Sequence, residues 1–208
     1  MAHNTISVKE ALSYGWETFK KNWQFLVVTF IIVILAGLIP QWLHDWSREN
    51  MPNLSFIFTI LGWFVQMITG IGTIVISLKI VDGKKPTYDD IYKHYNLILN
   101  FFLGSLIYGV VVLVGFILLI VPGIIWGIKY QYITYLIVDK KMSPMDAFRT
   151  SGKITNGAKL QLFYLGLAFI GITILGMIVF GLGLVISWPI VMLAGAHVYR
   201  KLSPKASS

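Results

Sequence analysis

The residue in this sequence best placed to do chemistry is a cation inside an apolar run. Lys129 sits in the stretch Trp126-Gly127-Ile128-Lys129-Tyr130-Gln131-Tyr132, and a charge within a membrane segment faces a cavity, a partner or the membrane surface. A ligand reading makes Lys129 the contact for an anionic headgroup or substrate. Tyr130, Gln131 and Tyr132 then stand beside it, and Gln66 adds a polar group from another apolar run. The structural reading has Lys129 snorkelling to the interface or pairing with Asp139 or Asp146. Catalytic patterns are missing. The 208 residues contain no cysteine, which removes thiol nucleophiles and Cys-based zinc sites. There is no His-x-x-x-His pair, no carboxylate inside an apolar run, no Gly-x-Ser-x-Gly elbow and no Gly-x-x-x-x-Gly-Lys-Ser/Thr loop. The sequence thus points away from an enzyme and calls for no metal or cofactor. Chemistry on lipid headgroups would require Asp82, Asp89, Asp90, His94 and Asp139 to converge, and their spacing does not demand it.

The elements that would position these residues are membrane spans. Hydrophobic residues make up 56% of the chain and charged ones 12%, against roughly 45–50% and 25% in soluble domains. The mean hydropathy of +0.74 agrees. A bilayer core needs about 20 apolar residues per helix, and six runs qualify: about 24–43, 56–80, 97–120, 123–138, 160–180 and 182–199. Val121-Pro122-Gly123 is the expected turn between the third and fourth, and Gly181-Leu182-Gly183 the turn between the last two. The first run follows more than twenty mostly polar residues and shows no cleavage pattern, so it reads as an uncleaved span. The fold class expected is all-α, a polytopic membrane helical bundle of six transmembrane helices in a single membrane domain, 1–208.

The net charge of +8 is not spread along one face as nucleic-acid binding would require; it falls between the apolar runs. The pairs Lys20/Lys21, Lys84/Lys85, Lys140/Lys141 and Arg200/Lys201 lie on one side of the predicted topology, and Arg48 lies on the other. Cytoplasmic loops carry the excess of Lys and Arg. Both termini and the long loops are therefore expected in the cytoplasm, in the inner membrane of a prokaryote. The same basic residues suit contact with membrane lipids, anionic ones included, since each cation near the surface adds about 1 kcal/mol of attraction.

One repeat runs through the chain. Ser7-Val8-Lys9-Glu10, Thr87-Tyr88-Asp89-Asp90 and Ser143-Pro144-Met145-Asp146 each place a hydroxyl residue three positions before an acid, the signature of a capped helix start. Each opens a segment leading into a pair of spans. Interfacial amphipathic helices are expected at 7–22, 87–95 and 143–157, with aromatic and apolar residues on one face and charge on the other. Pro40, Pro122 and Pro189 mark ends or kinks. A broken helix at Ser187-Trp188-Pro189, of the kind that lines transport sites, is the alternative there. The pairs Ser105/Gly109 and Gly123/Gly127 allow close helix approach, within the chain or at the seam of a homo-oligomer.

The stretches Ser7–Asn22, Val81–Tyr88, Ile120–Ile125, Val138–Ser151 and Pro189–Tyr199 resemble a largely uncharacterised bacterial and archaeal membrane family related to the membrane domain of some glycerophosphoryl diester phosphodiesterases. The resemblance implies a six-span module. It does not bring the hydrolase activity with it, because 208 residues leave no room for the catalytic barrel. The function expected is a non-enzymatic module that binds lipid or a protein partner at the cytoplasmic leaflet. The alternative is a small transporter or lipid-translocating protein with a polar path past Lys129, Gln131 and the second span.

Overall fold

The computed structural model describes residues 6–178 and 183–203, and every regular element among them is helical. Most of the expected Gly181-Leu182-Gly183 turn lies outside the described residues. The chain opens with α1 (Val8–Asn50), whose N-cap Ser7 accepts the Glu10 N–H on its hydroxyl at 3.3 Å. At Asn22 the backbone leaves helical geometry (φ −125°, ψ 19°), and the side-chain amide donates to the Thr18 carbonyl at 3.0 Å. The kink divides α1 into two helical arms, the first matching in extent the amphipathic segment expected at 7–22 and the second carrying the first apolar run. Pro40 is buried within the second arm, which runs ten residues further to Asn50.

A short connection holding a 3-10 turn (Pro52–Leu54) leads to α2 (Ser55–Val81), antiparallel to α1. Gly37 faces Gln66, and Pro40 faces Gly62. The helix ends on a left-handed glycine, Gly83 (φ +70°), with the Lys84 N–H donating to the Lys79 carbonyl at 2.8 Å and the Gly83 N–H to the Ile80 carbonyl at 3.0 Å. This pairs carbonyls that the helix end would leave open. The segment expected as a helix at 87–95 is instead two 3-10 turns, Tyr88–Ile91 and Tyr95–Leu97. Its predicted cap is present, with Asp90 accepting the Thr87 N–H at 2.8 Å. The turn is pressed so closely on α2 that a side chain at Gly72 would collide with the Ile91 backbone.

Helices α3 (Ile98–Leu118) and α4 (Ile120–Tyr130) form a hairpin joined by one extended residue, Leu119 (φ −167°, ψ 157°). The turn thus falls two residues ahead of Val121-Pro122-Gly123. Pro122 sits in the first turn of α4, where its missing N–H would have no helical partner. Gly123 sits where its helix meets α3, and a methyl group on Gly115 would come within 2.8 Å of its Cα. The returning arm breaks at Gln131-Tyr132 and resumes as α5 (Ile133–Lys140). The Tyr108 hydroxyl donates to the Gly127 carbonyl at 3.3 Å, and Ile133 and Ile137 pack at Gly104, so α4 and α5 together retrace α3.

Amphipathic α6 (Pro144–Ile154) starts on the predicted cap. The Ser143 hydroxyl accepts the Asp146 N–H at 3.2 Å, and Pro144 opens the helix. Helices α7 (Lys159–Ile178) and α8 (Leu184–Leu202) complete the bundle, and α8 runs unbroken through Pro189. The core lies around α8, where Leu193, Ala194, Ala196 and Tyr199 are fully buried. Gly15 of α1 packs on its backbone, because a methyl group there would stand 2.6 Å from the Ile190 carbonyl oxygen. The outer faces of α3 and α7 carry exposed Leu99, Leu113, Ile117, Leu160, Leu175 and Ile178. Apolar surface this continuous is suited to contact with lipid. Four stretches, Val8–Asn50, Pro52–Val81, Tyr88–Leu118 and Lys159–Ile178, are long and apolar enough to cross a membrane.

Candidate functional site at the basic end

The ends of α2, α5 and α8 meet on one guanidinium. Arg200, near the end of α8, binds Asp139 through Nη1 at 2.6 Å and Nη2 at 2.7 Å, and binds Asp82 through Nε at 2.9 Å and Nη2 at 3.0 Å. The three side chains are only 12%, 11% and 14% exposed respectively. Planar, five-donor arginine suits two carboxylates in this way, where a lysine ammonium would not. The Tyr199 hydroxyl also donates to Asp139 at 2.8 Å. Below the clamp the rings of Tyr132, Tyr135 and Tyr199 pack together with centroids 5.1–5.8 Å apart. Sequence reasoning counted Arg200 as a topology signal and a lipid contact, not as the centre of an ion cluster. The signal that could have found the clamp is the recurrence of Val81-Asp82 and Val138-Asp139, each just ahead of a lysine pair.

The remaining acids at this end are also held. Lys79 reaches Asp90 at 2.7 Å, Lys93 reaches Asp89 at 2.9 Å, Lys20 reaches Glu17 at 2.7 Å, and Lys201 pairs with Glu10. Asp146 is taken by the Ser143 hydroxyl at 2.7 Å. Burial disfavours the Asp90 carboxylate, but the Lys79 ammonium and the Thr87 N–H outweigh it and hold the carboxyl below the ordinary aspartate value. The acids being spent on these cations, Lys9, Lys21, Lys84, Lys85, Lys140, Lys141, Arg149 and Lys153 stand exposed with no ion pair among the described residues. Lys84/Lys85 follow Asp82 and Lys140/Lys141 follow Asp139, so the clamp draws both exposed pairs to one patch. Lys20, by contrast, is engaged by Glu17 and lies over the Trp16 ring at 5.7 Å.

The residues around Lys129 form a different feature. Lys129 ends α4 where the helix breaks, and its carbonyl accepts the Ser151 and Thr155 hydroxyls of the α6 segment, each at 3.0 Å. The Tyr132 N–H returns a bond to the Ser151 hydroxyl at 3.3 Å. Lys129 lies over the Tyr130 ring at 5.0 Å, that ring stacks on Phe148 at 4.1 Å, and Gly152 leaves room for the lysine stem. Lys129 makes no ion pair with Asp139 or Asp146. Gln131 donates to the Ile128 carbonyl at 3.0 Å, and Tyr132 is buried in the core. Gln66 lines a cleft between α1 and α2. Lys129 and Gln66 therefore belong to separate surroundings.

Residues 54–206 match the family described as "Protein of unknown function (DUF975)". The chain belongs to this family. Among curated proteins, the uncharacterised Rv2560 of Mycobacterium tuberculosis and Mb2590 of Mycobacterium bovis are each 27% identical to this DUF975 chain, over 95% of its length and 69% of theirs. No solved structure matches it. These matches tie it to the family and establish no link to the phosphodiesterase membrane domain.

Proposed function

We propose that this DUF975 chain is a six-span, non-catalytic module of a prokaryotic cytoplasmic membrane, and that its basic face binds anionic lipid headgroups in the cytoplasmic leaflet. The observation that carries this reading is the unpaired lysine patch. The acids of that end are occupied by Arg200, Lys79, Lys93, Lys20, Lys201 and Ser143, so the exposed lysines keep their charge for an external anion. The amphipathic stretches at 8–22 and 144–154 add Trp16 and Met145 as exposed apolar groups beside that charge, and exposed Trp23 follows the first. The count of six rests on pairing: α4 with α5 retraces α3, and α8 accompanies α7, beside the antiparallel α1 and α2. With the basic end in the cytoplasm, both termini lie there too.

The test is lipid retention by the full chain in nanodiscs of mixed phosphatidylglycerol and phosphatidylcholine, read by native mass spectrometry. Phosphatidylglycerol is expected to be enriched around the protein. Lys84→Gln, Lys85→Gln, Lys140→Gln and Lys141→Gln combined are expected to remove most of that enrichment, at about 1 kcal/mol per cation. Equal retention of the two lipids by the unmodified chain would reject the proposal.

A further inference from the structure

A second polar site lies toward the opposite end of the bundle. A cleft of about 220 Å³ opens between α1 and α2, lined by Gly37, Gln41, His44, Thr59, Trp63 and Gln66, among others. Gln66 stands eleven residues into α2, about 16 Å along its axis and hence near the middle of a core about 30 Å thick. Its carboxamide makes no hydrogen bond among the described residues, and its nitrogen rests against Gly37, where a methyl group would stand only 2.9 Å away. Gln66 is exposed on the bundle, and under the membrane placement proposed above an unpaired carboxamide at that depth is unfavourable. An occupant able both to accept and to donate hydrogen bonds would resolve it.

The lining narrows the chemistry of that occupant. It contains no lysine or arginine. Its one imidazole, His44, is held by Asp45 at 3.1 Å, and Asp45 also accepts from Gln41 at 3.2 Å, so the lining offers a phosphate or carboxylate no uncommitted cation. The oxygens of Thr59 and Gln66 and the Gln66 amide nitrogen offer neutral hydrogen bonds, while Phe58 and Trp63 offer ring surface. The volume is below the roughly 300–1,000 Å³ of ordinary ligand pockets, which suits one ring or one headgroup. We propose that the α1–α2 cleft binds a neutral, hydroxyl-rich group of about the size of one sugar, presented either as a lipid headgroup or as a free polyol.

The experiment uses the full chain in phosphatidylcholine nanodiscs containing equal amounts of a monoglucosyl diacylglycerol and the parent diacylglycerol. Retention is read by native mass spectrometry, with free glucose titrated separately by saturation-transfer NMR. The unmodified chain is expected to retain the glucosyl lipid over diacylglycerol, or to bind glucose saturably; the first result assigns the source to the bilayer and the second to solution. Gln66→Leu is expected to weaken whichever binding is seen on the order of ten-fold, the effect of losing one neutral hydrogen bond. Gly37→Ala, which presses on the same amide, gives a second reading with the unfolding temperature followed in parallel. Lys84→Gln with Lys85→Gln is expected to leave this binding unchanged, which separates it from the basic face. Absence of both preferences, or full binding by Gln66→Leu, would overturn the proposal.

Discussion

Arg200 is the residue whose removal is expected to do most damage. Two carboxylates at 11% and 14% exposure would lose the guanidinium that joins them, and breaking a buried pair by deleting one partner costs about 3–5 kcal/mol. Arg200→Leu is therefore expected to lower stability by that order in detergent unfolding. Arg200→Lys is expected to be nearly as harmful, because one ammonium cannot replace the two-sided fork. Asp90 gives a pH prediction. Its folded value is depressed, so its contribution is complete above the ordinary value of 3.8 and is lost as pH falls below that through the folded value. Lys79→Met, in which that depression is reduced, is expected to be less stable near neutral pH and to lose less further stability as pH falls below 4, measured by unfolding at a series of pH values. At this scale the sequence was only partly legible. Lys129 drew attention because a charge inside an apolar run stands out. Arg200 did not, since a basic residue at the end of a span is ordinary, and its two partners lie 118 and 61 positions away. Pairing across such distances leaves no local pattern.

At the level of elements, the break between α4 and α5 shows how an interrupted helical arm is held together. A helix end in lipid leaves backbone groups that water cannot satisfy, and here Ser151 and Thr155 supply the partners for the Lys129 carbonyl. Ser151→Ala with Thr155→Val is expected to destabilise the fold by about 1–3 kcal/mol, measured by unfolding, because that carbonyl loses both donors. Capping chemistry was readable from the chain: Ser7, Thr87 and Ser143 each begin an ordered turn or helix as their spacing predicts. What followed the caps was less readable. Tyr88–Ile91 tightens into a 3-10 turn because the close approach to Gly72 holds it on α2, and a tertiary contact of this kind has no periodicity to read. The α3–α4 turn fell two residues early for a related reason, the contact of Gly115 with Gly123, which sets where the two helices can meet.

For the whole molecule, composition and the distribution of charge already indicated a membrane bundle with one basic end, because hydropathy and the spacing of lysines are properties of the chain itself. The α1–α2 cleft was not visible, since Gln66 and His44 come together only through antiparallel packing. At this scale the proposed topology has six crossings with the lysine patch in the cytoplasm. Since the chain has no cysteine, single cysteines can be placed and labelled without background. The deciding measurement is labelling of Asn53→Cys, Lys85→Cys, Leu119→Cys and Lys141→Cys in intact cells with a membrane-impermeant maleimide. Asn53→Cys and Leu119→Cys are expected to react from outside, and Lys85→Cys and Lys141→Cys only after the membrane is permeabilised. A Leu119→Cys chain that reacts solely after permeabilisation would mean that the α3–α4 hairpin does not cross, and would contradict the six-span account.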